Sequence, residues 1–204
     1  MPGLFLESRE LLPFDGSALL HEGVLDADAA DAAFDELLTT NGWESHELVV
    51  FGAKHPEPRL STWHALDGTP YTYSGLTRTA LPFTPLLERL RGMCEELAGA
   101  RFNAVLVNLY RDGNDAVGWH ADDEPENGFE PTIASVSLGA TRRFDFRHRE
   151  SGTTVSADLE HGSVVVMSGL SQDCWVHRIA RTKSPVGRRI NLTFRFVDST
   201  GSAR

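Results

Sequence analysis

The chain has 204 residues, of which 41% are hydrophobic, enough for one domain of ordinary size with a substantial core. A charged fraction of 24% argues against disorder, and no apolar run approaches the roughly 20 residues of a membrane-spanning helix. The net charge of −10 does not exclude a polyanionic partner: residues 1–50 hold eleven Asp/Glu against the single Arg9, whereas residues 51–204 hold eighteen of each sign.

The start, MPGLFLESRELLPFDG, lacks the basic region and long apolar stretch of a secretory signal. Cys94 and Cys174 form neither a zinc pattern nor a disulfide framework, so a reducing cytoplasm is the expected setting. Residues 26–40 predict a helix with acidic residues in its first turns and Phe34, Leu37 and Leu38 on one side. Residues 47–76 are rich in β-branched and aromatic residues, broken by HPEPR and DGTP, which suggests hairpins or lid-like loops. Residues 84–98 predict a second helix, with Thr84 as N-cap and Pro85 at the first position. Its apolar stripe is Leu86, Leu87, Leu90, Met93, Cys94 and Leu97.

After Arg101 short strands follow one another, at 102–110, 132–139, 142–149, 153–159, 162–169, 175–180 and 188–197, separated by turn signals such as DGND, ESGT and EHGS. The fold class is therefore mainly β with flanking helices (α+β), and many short strands favour a sandwich, barrel or jelly roll. The expected division is an N-terminal region of helices and lid, integral to the domain, over 1–100 and a β core over 101–198.

Two stretches carry chemistry. In GWHADDE, His120 and Asp122 stand in the His-x-Asp spacing that suits two ligands of a facial iron(II) triad, which a distant histidine would complete. His148, His161 and His177 are the downstream candidates. His161 lies in EHGS, a turn; His148 lies in the Arg-rich RHRE edge; His177 lies inside the short apolar strand WVHRIA. In RRINLTFRF, period two puts Arg189, Asn191, Thr193 and Arg195 on one face and Ile190, Leu192, Phe194 and Phe196 on the other. Two inward guanidiniums are costly unless an anion meets them, and a dicarboxylate suits their bidentate forks.

The series NLY, GWHADDE, IASVSLGATRRFDFRHR, HGSVVVMSG, WVHRI and RRINLTFR resembles the AlkB family of iron(II)- and 2-oxoglutarate-dependent dioxygenases, over about residues 48–197. The resemblance implies a double-stranded β-helix (jelly-roll) core behind an N-terminal nucleotide-recognition region. It implies Fe(II) on His120, Asp122 and His177, and O2 as oxidant. It places 2-oxoglutarate on Arg189, Asn191, Thr193 and Arg195, with Asn108 and Tyr110 from the first core strand. The implied activity is oxidative removal of N-methyl groups, of the 1-methyladenine and 3-methylcytosine type, from DNA or RNA, by a monomeric chain, with release of formaldehyde. The alternatives are a 2-oxoglutarate oxygenase acting on protein or a small molecule, and a non-enzymatic jelly-roll module.

By the same resemblance, YTYSG sets Tyr71 and Tyr73 beside an extruded base. VFGAKHPEPR corresponds to a hairpin that probes the duplex, with Phe51 and Gly52 at its tip and Arg59 at its end; Ala53 stands where close relatives carry lysine. The methylated bases are cationic, so an anion near the pocket would select them. Asp123 and Glu124 are the candidates, Glu124 ahead because Asp123 is also suited to holding an arginine.

Overall fold

The structure is a computed structural model that describes residues 8–198 except 41, 46, 51–52, 67, 69–70 and 74–75; for 47–50, 53–56, 71–73 and 76–78 it describes backbone alone. The chain begins with strands β1 (Ser8–Glu10) and β2 (Ser17–His21) and helix α1 (Ala27–Thr40). Short strands β3 (Glu47–Val50), β4 (Ala53–Pro56), β5 (Leu60–Ala65), β6 (Tyr71–Tyr73) and β7 (Leu76–Arg78) precede helix α2 (Pro85–Ala98). The second half contains β8 (Ala104–Tyr110), β9 (Val117–His120), β10 (Ile133–Gly139), β11 (Arg142–His148), β12 (Thr154–Leu159) and β13 (Ser163–Ser168). The one-turn helix α3 (Ser171–Cys174), β14 (Trp175–Ile179) and β15 (Arg189–Arg195) complete it.

Two antiparallel sheets face each other. The larger runs β1-β2-β13-β10-β15-β8-β5 and the smaller β12-β11-β14-β9, while β3-β4 and β6-β7 form separate hairpins. Alternation on each central strand feeds two cores. Val164 and Val166 of β13 join Val136, Leu138, Ile190, Leu192 and Phe194 under the helices. Val165 and Met167 of the same strand turn the other way, toward Phe144, Phe146, Trp175 and Ile179 of the smaller sheet. Burial on both faces explains why these strands read as nearly continuous apolar runs.

Helix α2 forms where its signals place it. Thr84 Oγ1 accepts the Leu87 N–H at 3.2 Å, Pro85 begins the helix, and Gly99 ends it at φ 61°. Leu86, Leu87, Leu90 and Cys94 are buried on the sheet, each leucine worth roughly 1.5–3 kcal/mol. Helix α1 buries Ala30 and Ala33 beside Leu37, while Phe34 and Leu38 are only partly covered. Small side chains let its backbone approach the sheet, a contact that apolar size alone does not signal.

Three sequence expectations are corrected. Residues 60–65 are not part of a lid: β5 pairs with β8 from Leu60↔Leu109 to Ala65↔Ala104 and extends the larger sheet. Residues 8–21 contribute two further strands to its other end. On β15 Ile190, Leu192 and Phe194 pack under the helices, but Phe196, expected on the same apolar face, is 53% exposed and outside the core.

Candidate functional site

The polar face of β15 therefore points between the sheets. Arg189 and Arg195 are each 1% exposed, and Asn191 and Thr193 are buried beside them. Neighbouring strands supply matching hydroxyls. Arg189 Nη2 donates to Ser137 Oγ at 2.9 Å, and Asn191 Nδ2 donates to Ser135 Oγ at 2.8 Å and to the Val136 carbonyl at 3.0 Å. Thr193 Oγ1 donates to Asn191 Oδ1 at 3.1 Å. On β8, Asn108 lies across from Asn191 and Tyr110 across from Arg189. The guanidinium carbon of Arg189 lies 5.3 Å from the Tyr110 ring centroid. Burial pulls Arg189 down to about 10, and its Nε and Nη1 make no hydrogen bond among the described residues. A buried guanidinium with unsatisfied donors fits a carboxylate.

Across the gap, β9 and β14 bring the imidazoles together. His120 pairs with His177, but Val117 pairs with Ile179, so three steps on β9 match two on β14. This bulge lets both Val117 and His120 face inward. His120 Nδ1 lies 2.8 Å from the Gly118 carbonyl, which can only accept, so the proton is on Nδ1 and Nε2 keeps its lone pair. One ligand atom each from His120, Asp122 and His177 lie within 4.8 Å of one another. Burial would raise the Asp122 carboxyl, but the Arg195 guanidinium and then the two imidazoles bring it to about 2. Burial, then the neighbouring His120, lowers His177 to about 3, and burial lowers His120 as well. Two neutral imidazoles and one carboxylate are the donor set a divalent iron takes.

Supporting residues that the sequence did not single out hold the aspartate. Gln172, 1% exposed at the start of α3, accepts the Asp122 N–H on Oε1 at 2.9 Å. Asn127 Nδ2 donates to the Asp122 carbonyl at 3.1 Å and to Glu124 Oε2 at 2.8 Å. Arg195 Nη2 donates to Asp122 Oδ1 at 3.2 Å. Such partners carry no motif, because they act from other elements.

The candidate residues divide accordingly. Asn108, Tyr110, His120, Asp122, His177, Arg189, Asn191, Thr193 and Arg195 line one pocket, together with Arg59. Arg59 is buried, with Nη2 2.8 Å from Glu57 Oε1 and Nε donating to Asn108 Oδ1 at 2.8 Å. Glu124 lies at the rim, Oε2 being 3.7 Å from Arg195 Nη1. Asp123 is turned away and meets Arg149 Nη2 at 2.8 Å, which is the arginine-holding alternative. Tyr71 and Tyr73 lie on β6, whose backbone alone is described; Phe51 and Gly52 lie outside the described residues. His161 latches two turns, accepting the Gly139 N–H at 2.7 Å and facing Asp31 Oδ1 at 3.1 Å. His148 packs against Trp175, ring centroids 5.0 Å apart.

Comparison with known proteins agrees with this geometry. The 2OG-Fe(II) oxygenase superfamily matches residues 17–195. The alpha-ketoglutarate-dependent dioxygenase alkB homolog 3 of Rattus norvegicus is 38% identical over 188 residues, covering 87% of this chain and 63% of that protein. The chain thus spans less than two thirds of that relative. The DNA oxidative demethylase ALKBH2 of Homo sapiens is 41% identical over 177 residues, 81% of this chain and 68% of that protein. The solved structure of OsALKBH1 superposes with a TM-score of 0.64 at 17% identity, covering 91% of this chain and 99% of that one, a likeness of fold.

Proposed function

This chain belongs to the 2OG-Fe(II) oxygenase superfamily, and from that premise we propose that it oxidatively demethylates N-alkylated bases in DNA, and in RNA by the same chemistry. The observation that carries this reading is the convergence of two neutral imidazoles and a carboxylate with the buried, incompletely satisfied guanidinium of Arg189 in a single pocket. The names of the relatives supply the substrate class: one is a DNA oxidative demethylase.

His120, Asp122 and His177 would hold iron(II), and Arg189 with Asn191, Thr193, Arg195, Asn108 and Tyr110 would hold 2-oxoglutarate. Iron with 2-oxoglutarate and O2 supplies an oxidant for a C–H bond, yielding succinate, carbon dioxide and an N-hydroxymethyl base that loses formaldehyde. The protein does the rest by placement. Arg189 fixes a carboxylate in a buried setting where one charge-assisted contact is strong. Asp122 keeps its charge through Arg195 and its orientation through Gln172 and Asn127. Glu124, an anion at the rim, would favour a cationic methylated base over a neutral one. The base must leave its stack to reach this pocket, which methylation makes cheaper by blocking pairing. A reducing, cytoplasmic setting accords with Cys94 and Cys174, both free thiols; among the described residues no helix is long and apolar enough to cross a membrane.

The test is succinate and formaldehyde release with single- and double-stranded DNA and RNA carrying 1-methyladenine or 3-methylcytosine, against unmethylated strands and methylated peptides. The two products should appear in equal amounts with methylated nucleic acid. Turnover with a peptide and none with any nucleic acid would overturn the substrate assignment.

A further inference from the structure

Asp15, His148 and Cys174 stand far apart in sequence, but the fold brings one ligand atom of each within 4.8 Å of the others. Among the described residues one other group of three does so, the proposed iron site. The two are distinct: His148 pairs with Trp175, two residues beyond the Phe146↔His177 pair and about 7 Å along the strands. His148 is 5% exposed, and its ring lies between those of Phe14 and Trp175, with both centroids 5.0 Å away. Its Nε2 is 3.3 Å from Asp15 Oδ2 yet makes no hydrogen bond among the described residues. Asp15 stands at φ 51°, in the left-handed region that few residues other than glycine adopt. Gly16, at φ 123°, sits so close to α3 that a Cβ there would lie 2.5 Å from Ser171 N. The Phe14 carbonyl accepts Trp175 Nε1–H at 3.1 Å. A strained loop, fastened at several points, thus holds a carboxylate against a buried imidazole. The free thiol of Cys174, at the end of α3, closes the third side.

We propose that Asp15, His148 and Cys174 bind a zinc ion at a second metal site, apart from the pocket. Carboxylate, imidazole and thiolate are all zinc ligands, and the thiolate disfavours magnesium and calcium. Bonds of about 2.0–2.3 Å in a tetrahedral array put donor atoms roughly 3.3–3.8 Å apart. The distance from His148 Nε2 to Asp15 Oδ2, 3.3 Å, already has that value. Water can take the fourth position beside Asp15, whose side chain is 53% exposed. The protons also balance. Ser151 N–H donates to His148 Nδ1 at 3.0 Å, so the metal-free ring carries its proton on Nε2. On binding, that proton passes to Nδ1, where Ser151 Oγ, 3.1 Å away, accepts it in place of the N–H contact. Cys174 gives its own proton to solvent, the net release. The ion would clip the loop at Asp15 to α3, the helix whose Gln172 holds the Asp122 N–H, and so brace the pocket from behind.

The experiment titrates the full chain with zinc against a chromophoric chelator. Cobalt(II) is titrated separately and read at equilibrium, because its thiolate charge-transfer band arises only where sulfur is a ligand. His177→Ala is the background, since it disables the iron site. That variant should take up zinc one-to-one, release about one proton per zinc to a pH indicator, and show the cobalt band. Adding Cys174→Ser should abolish the uptake and the band. Asp15→Asn or His148→Gln should each weaken zinc uptake by more than the roughly 10-fold that an outer hydrogen-bond partner of a ligand is worth. Cys174→His should keep zinc but lose the band, a result that a merely structural cysteine would not give. Cobalt stands below zinc in the affinity order, so it is held here only while in excess and is not carried through gel filtration. A missing band in His177→Ala, or equal zinc uptake with and without Cys174→Ser, overturns the assignment. Cys174→Ser changes one atom of a half-buried side chain, so the comparison does not hang on folding.

Discussion

Three donors define the proposed metal site, and each has a different support. His120 is oriented by the Gly118 carbonyl, Asp122 by Gln172 and Arg195, and His177 by its place in β14. Alanine at any of the three should abolish high-affinity Co(II) or Fe(II) uptake, measured by metal content after gel filtration, whereas His161→Ala should retain it. Metal loss in His161→Ala with retention in His177→Ala would refute the triad. Arg189 is the proposed anchor for 2-oxoglutarate. Arg189→Met keeps its bulk but removes the carboxylate fork, so the 2-oxoglutarate requirement should rise by roughly 1.5–3 kcal/mol of binding, read in cosubstrate titrations. At Glu124 the charge is the point. Glu124→Gln should narrow the preference for 3-methylcytosine over neutral 3-methylthymine; equal losses on both would dismiss charge selection. Arg195 lies 3.7 Å away and would then account for the Glu124 carboxylate as an internal partner.

At the scale of elements, close approach decides more than hydrophobicity. Gly139 ends β10 at φ 86°, and a Cβ there would sit 2.5 Å from the Arg188 carbonyl oxygen and 2.6 Å from Phe34 Cε2. Gly139→Ala should therefore destabilise the fold by at least about 1–3 kcal/mol, seen as a lower denaturant midpoint. It should also slacken the contact between α1 and the sheet, because the clash with Phe34 lies on that seam. An unchanged midpoint would show that the β10–β11 turn relaxes freely. Helix α2 was fully legible, since its cap, its proline and its stripe are local signals. Strand β5 was not: its partner, β8, lies across a whole helix in sequence.

For the molecule as a whole, acid should act in two stages. Burial holds His64 and His21 below the ordinary imidazole value. The unfolded chain then takes up protons first as the pH falls through about 6.5, so this share of stability is complete above that value and is lost on the way down to the folded values. For Asp115 and Asp145 burial alone would raise the carboxyl. Hydrogen bonds and charge outweigh it, from Arg111 for Asp115, and from Ser156, Arg178 and Arg143 for Asp145. Their contribution persists to about pH 4 and is lost below it. Denaturant midpoints between pH 8 and 3 should fall in both windows, and His64→Gln should flatten the first. What the sequence determined by itself was whatever repeats or caps within a few residues: two helices, seven core strands, the His-x-Asp pair and the polar face of β15. Alternation states which side chains share a face, but not what that face will meet. His177 was picked from the three downstream histidines by the family motif, whereas the bulge that aims His120, the packing of α1 through alanines, and the service of Gln172 and Asn127 to Asp122 were decided by tertiary structure. Each depends on register between strands distant in sequence, and register is set by closure of the whole sandwich rather than by any local preference.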